Sequence, residues 1–391
     1  MSTSGAERQP YLLMLLVVGL VGFGLVMVYS ASTALGQVRF ESDHFFLKRS
    51  ALRTVIGLVA MLLIMRVDYR FWARFARIFL AIGFLGLAVV LVFKIAGFGK
   101  VRGAYRWIPL PGGAFQPSDL MRLALVVYLA ESLSRRQGLV KDLVQGYLPH
   151  IAIIGVAMGM VMLQPDLGTA LAIGLTCTLM LYLAGVRVKH LAGTGLVLLP
   201  VLFVVVFVLG YRRERMMAFF SPTDDVQGAG YHVMQSLLAL GSGGWSGVGL
   251  GQSLQKYFFL PEPHTDFVFS IVGEELGLVG TAGVVLGFIV FGRCGFQIAR
   301  RAPDLHGFFL ASGITFMILV YAFVNMGVCT GLIPATGLPL PFISYGGTSL
   351  LFTLLAVGIL INIGRRGSAD PGALPHRTGV VRMSRTGNRR F

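Results

Sequence analysis

The feature that most restricts this chain is a succession of apolar segments, most of them long enough to cross a lipid bilayer. A transmembrane helix needs about 20 predominantly apolar residues. Ten segments qualify, roughly 11–30, 51–65, 77–97, 119–133, 148–163, 168–186, 190–210, 266–292, 307–328 and 345–363, several of them short or interrupted by Gly. Only Leu163-Gln164-Pro165-Asp166-Leu167 separates the fifth from the sixth. Charged residues make up 13% of the 391-residue chain, against about 25% in a soluble domain. The expected fold is an all-α polytopic membrane protein of about ten transmembrane helices, with a large extracytoplasmic loop, 211–265, between spans seven and eight. Residues 1–10 read as a short tail, 11–366 as a single membrane domain, and 367–391 as a basic tail without apolar periodicity, expected to be disordered. The small residues Ala31-Ser32-Thr33-Ala34 suit a signal-peptide cleavage site. The apolar core before them is long for one and many spans follow, so an uncleaved first span is the preferred reading.

The net charge of +16 raises a nucleic-acid reading, but most of the positive charges flank apolar segments or lie in the tail. The excess of Lys and Arg in alternate loops places both termini in the cytoplasm. Eleven basic residues run against that trend on the outer side: Arg39, Lys48, Arg49, Arg53, Lys100, Arg102, Arg106, Arg212, Arg213, Arg215 and Lys256. Cys177, Cys294 and Cys329 have no ligand spacing and read as packing residues.

Five outward-facing blocks concentrate polar groups. Lys256 to Gly280 carries Glu262, His264 and Asp266 where a polar loop meets an apolar run, then Glu274 and Glu275 further in. Ionisable groups at the mouth of a hydrophobic segment are costly and usually have a task. Arg102-Gly103-Ala104-Tyr105-Arg106-Trp107-Ile108-Pro109 and Phe115-Gln116-Pro117-Ser118-Asp119 read either as an interfacial loop or as part of a site. Asp119 and Arg122 stand three apart and share a helix face, as a structural ion pair or a substrate contact. Asp166, before Gly168 and Thr169, suits a helix cap without excluding a second role. The fourth block is the long loop, with Arg213, Arg215 and the glycine-rich run 241–251. That run lacks the strand-and-helix setting of a phosphate loop and reads as flexible. In the last block, three prolines and three glycines between Pro334 and Ser349 prevent a continuous helix. Irregular backbone at membrane depth must be buried in protein or line a polar cavity, where Ser344, Thr348 and Ser349 supply hydroxyls. Together the blocks describe a site for an anionic, lipid-soluble substrate: arginines for a diphosphate and a carboxylate to take a proton from a hydroxyl.

The same blocks resemble the SEDS family of bacterial cell-wall proteins, the FtsW, RodA and SpoVE group, from Tyr11 to Arg366. The resemblance rests on Arg106-Trp107-Ile108 with Phe115-Gln116-Pro117-Ser118, Gln164 to Thr169, Leu260-Pro261-Glu262 with His264-Thr265-Asp266-Phe267, and Thr336 to Gly347. Ile271 to Gly277 is more similar to the division branch than to the elongation branch. The resemblance implies a peptidoglycan glycosyltransferase that polymerises lipid II at the outer face of the bacterial inner membrane, releasing undecaprenyl diphosphate. It also implies a class B penicillin-binding transpeptidase as partner, with other division proteins, at the septum. It assigns the essential acid to Asp266. Substrate-binding candidates are Arg102, Arg106, Trp107, Gln116, Asp119, Arg122, Asp166, Arg213, Arg215, Lys256, Glu262, His264 and Ser344, with or without a divalent cation. The family usually has Glu and Lys where this chain has Asp119 and Arg122, and an arginine does not serve as a proton donor. Competing readings are a lipid II flippase, the elongation-type polymerase and, from composition alone, a solute or ion transporter.

Overall fold

The computed structural model describes residues 3–98, 105–110, 113–208, 213–220, 229–257, 260 and 263–369. Twelve α-helices lie among them: α1 (Thr3–Phe40), α2 (Phe45–Ile64), α3 (Tyr69–Ile95), α4 (Pro117–Arg135), α5 (Leu148–Leu163), α6 (Leu167–Leu183), α7 (Val188–Phe203), α8 (Arg213–Phe220), α9 (Ala229–Ser242), α10 (Val268–Arg300), α11 (Leu305–Cys329) and α12 (Gly347–Ala369). Each of the ten apolar segments falls on one of these helices. Among the described residues, six helical stretches are long and apolar enough to cross a membrane, and α6 and α7 are shorter apolar helices. The protein is an all-α, multi-pass membrane protein.

Local chemistry sets the helix starts. The Asp68, Asp166 and Asp304 side chains accept hydrogen bonds from Arg70 N (3.0 Å), Thr169 N (3.3 Å) and Gly307 N (2.7 Å), capping α3, α6 and α11. Pro117 starts α4, where a missing N–H costs nothing. On α3 the buried positions Tyr69, Trp72, Ala76, Leu80, Gly83, Leu87 and Val90 recur every three or four residues, leaving the other face to lipid. By contrast, α4 and α11 are buried nearly all round and form the centre of the bundle.

At one end of the bundle the C-terminal part of α12 meets the α2–α3 connection, and a Cβ on Gly364 would lie 3.0 Å from Pro10 of α1. Arg366 Nη1 lies 2.8 Å from Asp68 Oδ2, and Asn362 accepts from Tyr69 N and donates to Met65 O. The α1–α2, α3–α4, α5–α6 and α11–α12 connections lie at the opposite end. There a two-stranded antiparallel hairpin, β1 (Ile108–Leu110) and β2 (Gly113–Phe115), precedes α4.

The long connection between α7 and α10 is not a bare loop. It contains α8 and α9. The Ser236 hydroxyl ties α9 to Ser270 Oγ (2.5 Å) on α10 and to Cys329 O (2.7 Å) on α11. The glycine-rich run also departs from the expected flexibility, because α10 kinks at Gly277 (φ 65°, ψ −158°). The kink breaks helical hydrogen bonds, and buried backbone groups must find other partners. Val248 N and Gly249 N donate to Glu274 O and Glu275 O, while Leu278 N and Val279 N donate to Gly244 O and Trp245 O. A Cβ on Gly243 would collide with Gly273 O, and one on Gly247 with Glu275 O. Glycine is required here for close main-chain approach.

Candidate functional site

A cavity of about 550 Å³ opens at the end of the bundle that holds the hairpin. Asp266 reaches it from the turn that leads into α10. Gly337, in the left-handed region at φ 77°, brings the proline-rich stretch beside this acid, so that a Cβ there would sit 3.4 Å from Asp266 Oδ2. The Asn325 side chain on α11 holds the main chain beneath it, donating from Nδ2 to Asp266 O (2.8 Å) and to Leu338 O (2.7 Å). Buried His264 lines the same wall between the rings of Phe46 and Tyr345, and its carbonyl accepts from Tyr345 N at 2.8 Å.

Of the residues expected to bind substrate, Arg106, Trp107, Gln116, Asp119 and His264 line this cavity with Asp266. Asp166 stands behind them. Its Oδ2 accepts from Gln116 Nε2 (3.3 Å) and lies 3.5 Å from Arg106 Nη1 while the same carboxylate caps α6. The two readings of Asp166 therefore coexist, as a cap and as an anchor for two cavity residues. Buried Asp119 accepts from Thr348 Oγ1 (2.7 Å) and lies 3.6 Å from Arg122. Arg122 itself does not line the cavity. Its Nη2 donates to Ser349 O, Ser349 Oγ and Thr353 Oγ1, locking α4 to the start of α12.

Three further candidates have structural tasks away from the cavity. Lys256 is buried beside Glu275 (3.5 Å) and donates to Gly251 O. Glu275 also accepts from Ser30 Oγ, and Glu274 from Ser253 Oγ and Leu254 N, so the two acids clamp the loop and α1 onto α10. Arg215 Nη1 donates to Ala335 O, and Ser344 Oγ accepts from Leu340 N inside a tight turn. Lys256, Arg215 and Ser344 thus shape the walls and do not face the cavity. Arg102, Glu262 and the Arg213 side chain lie outside the described residues.

Sequence reasoning missed Arg39 at the end of α1 and Arg49 and Arg53 on the first turns of α2. All three line the cavity. Arg49 and Arg53 are four apart and share a helix face, packed over the rings of Phe45 and Tyr345. A signal was available: these arginines are among those that oppose the distribution of the other basic charges. Tyr321, from the middle of the apolar α11, also lines the cavity and had no such signal. The arrangement places four guanidinium groups, Arg39, Arg49, Arg53 and Arg106, around a carboxylate in a recess walled by protein. Such a recess suits an anion with planar, multidentate oxygens next to a group that can accept a proton.

Comparison with known proteins places this geometry in context. A family model for FtsW/RodA/SpoVE cell cycle proteins matches residues 11–368. "Probable peptidoglycan glycosyltransferase FtsW" of Geobacter metallireducens is 44% identical over 93% of this chain and 97% of that protein. Stage V sporulation protein E of Bacillus subtilis is 43% identical over 93% of this chain and 99% of that protein. Among solved structures, a chain of a peptidoglycan synthase complex that coordinates polymerization and crosslinking superposes with a TM-score of 0.73 at 28% identity, covering 92% of this chain and 98% of that one. The rod shape determining protein RodA of Thermus thermophilus gives a TM-score of 0.66 at 28% identity, over 90% of this chain and 95% of that one. With the family match running almost end to end and the same architecture in the solved relatives, the chain belongs to the FtsW/RodA/SpoVE family of cell cycle proteins.

Proposed function

We propose that this protein is a peptidoglycan glycosyltransferase that polymerises lipid II into glycan strands, with Asp266 as general base. The observation that carries the reading is the Asp266 carboxylate in a cavity ringed by Arg39, Arg49, Arg53 and Arg106. In the reaction, the C4 hydroxyl of lipid II attacks the anomeric carbon of the lipid-linked sugar at the end of the growing chain. Asp266 takes the hydroxyl proton as the new C–O bond forms. The bond to the diphosphate breaks with its electron pair leaving on oxygen, and the anomeric centre inverts. The arginines neutralise the departing undecaprenyl diphosphate, the kind of charge development that preorganised cations stabilise best. Asp166 keeps Arg106 and Gln116 aimed at the cavity, and the Asp119–Arg122 pair holds the start of α12 in place.

The loop charges support a topology with both termini in the cytoplasm and the cavity on the outer face of the inner membrane, where lipid II is consumed. The likeness to FtsW relatives supports a place at the division septum, in company with a class B penicillin-binding transpeptidase and other division proteins. The likeness to a synthase complex supports the pairing with a transpeptidase. The test is polymerisation of purified lipid II by the purified protein, with and without that partner. Asp266→Asn should fold in membranes and make no polymer, a loss of at least the 10²–10⁴-fold typical of a positioned base. Full polymer synthesis by Asp266→Asn would remove the residue from the chemistry.

A further inference from the structure

Residues 245–257, between α9 and α10, turn their large apolar side chains out and their one charge in. Trp245 (78% exposed), Val248, Leu250, Leu254 (70%) and Tyr257 face outward, while Ser253 and Lys256 are buried. Lys256 is the only charged residue between Gly241 and Tyr257, and it is directed to Glu275 and Gly251 O. The outward surface of the segment therefore carries no charge. Nor is the segment loose. Main-chain hydrogen bonds join it to α10 on both sides of the Gly277 kink, and Ser253 Oγ and Leu254 N donate to Glu274.

Its level along the membrane normal follows from α10. The hydrocarbon core takes up about 20 helical residues. The charges towards the far end of α10 are Arg293 and Arg300, both exposed. That length counted back from either arginine ends between Gly273 and Gly280, the stretch to which the segment is bonded. Leu278 and Val279, just past the kink, are exposed on the spanning part of the helix. The apolar surface continues from there onto the segment, because Leu278, Val285 and Trp245 wall one groove of about 520 Å³.

We propose that residues 245–257 form a rigid interfacial anchor that seats these five outward side chains in the lipid leaflet on the cavity's side, which requires only that the chain cross a membrane and is independent of the polymerase reading. Contiguous exposed apolar surface marks a contact with membrane or protein, and three observations favour lipid. The segment lies at the hydrocarbon boundary. Its surface is uncharged, runs on into the exposed face of a spanning helix, and presents a Trp and a Tyr, the residues enriched at headgroup level. Its buried polar groups pair with one another and with main chain, as hydrocarbon surroundings demand. Because the segment is bonded to the first two turns of α10, the helix that Asp266 leads into, the anchor fixes the height of the cavity against the lipid headgroups.

The test uses fluorescence. The chain has three tryptophans, Trp72, Trp107 and Trp245, so subtracting the emission of Trp245→Phe from that of wild type isolates Trp245. Full-length protein is placed in phosphatidylcholine nanodiscs whose acyl chains carry bromine, a contact quencher, near the headgroup or near the chain end. Trp245 emission should be blue-shifted, lose most of its intensity to shallow bromine, lose less to deep bromine, and change little with aqueous iodide. A second reporter, Leu254→Trp on the Trp245→Phe background, should behave alike, which guards against a local disturbance by either substitution. Water-like emission at either position, quenched by iodide and not by bromine, overturns the anchor. Adding an equimolar class B penicillin-binding transpeptidase should leave the bromine quenching unchanged. Loss of that quenching on addition would assign the surface to a protein partner and would equally overturn the proposal.

Discussion

Asn325 Nδ2 lies 2.8 Å from the main-chain oxygen of Asp266 and 2.7 Å from that of Leu338. One buried amide thus joins α11, the turn that carries the proposed base, and the proline-rich stretch beside it. Both its hydrogens are spent on carbonyls, which leaves Asp266 little freedom to drift. Asn325→Ala should slow polymerisation by roughly 100-fold, the scale of a misplacement of about 1 Å at a catalytic group. The loss should fall on kcat more than on KM, because the arginines are untouched. Asn325→Asp, similar in shape but without the donors, should do no better. Steady-state kinetics with lipid II decide this, and a near-normal kcat in either variant would show that the tie does not position the base.

The Lys256–Glu275 pair is buried on both sides. Removing one partner of such a pair leaves an uncompensated charge and costs about 3–5 kcal/mol. Lys256→Met alone and Glu275→Gln alone should each lower the unfolding temperature sharply. The double variant should recover most of the loss, because no charge is stranded. Failure of the double variant to recover would mean that the Ser30 and Ser253 hydrogen bonds, and not the ion pair, hold the clamp.

At the opposite end of the bundle, burial pushes the Asp304 carboxyl up. The Gly307 N–H, the Tyr69 hydroxyl, and the His306 and Arg70 charges outweigh that and hold it below the ordinary carboxylate range. A folded pKa below the unfolded one adds stability above the unfolded value, about 3.9, and that stability is lost as pH falls through the folded value. Unfolding temperatures should therefore drop between about pH 4 and lower pH. Asp304→Asn should be less stable near neutrality and lose less on acidification. A parallel acid profile for wild type and variant would contradict the assignment.

Arg49 and Arg53 present two guanidinium groups from one face of α2 to the cavity. Substituting both with Gln keeps polar, though shorter, side chains and removes two charges. Stabilisation by undecaprenyl diphosphate should weaken by roughly tenfold in apparent affinity or more, at about 1.5–3 kcal/mol per charged hydrogen bond. Raising salt from low to about 1 M should narrow the gap between wild type and variant, because screening weakens the wild-type contacts. A gap that persists unchanged in high salt would point to a shape effect.

The helices were legible because hydropathy over twenty residues is a strong signal, and the positions of the ten apolar segments agree with α1–α7 and α10–α12. The cavity was legible where polar residues interrupt apolar ones in short motifs, as at Arg106, Gln116, His264 and Asp266. Lys256 was misplaced because an outward lysine reads alike whether it meets a ligand or a buried acid, and only the folded loop brings it to Glu275. Arg49 and Arg53 were seen as anomalous charges but could not be joined to Asp266, more than two hundred residues away. Tyr321 and Asn325 stand inside an apolar helix where nothing local separates a site residue from packing. The glycine run was misread because flexibility and close backbone contact demand the same residue.

That last contact has a consequence for how such a protein can change. Where the run meets the α10 kink, main chain faces main chain at Gly243 with Gly273 and at Gly247 with Glu275. Ordinary core contacts tolerate drift because a bulkier residue on one side can be matched by a smaller one on the other. Here there is no side chain to trim. The segments around 243–249 and 273–279 form one inheritable unit, to be exchanged between relatives together or not at all, and a chimera whose junction falls between them should fail to fold even when both parents are sound.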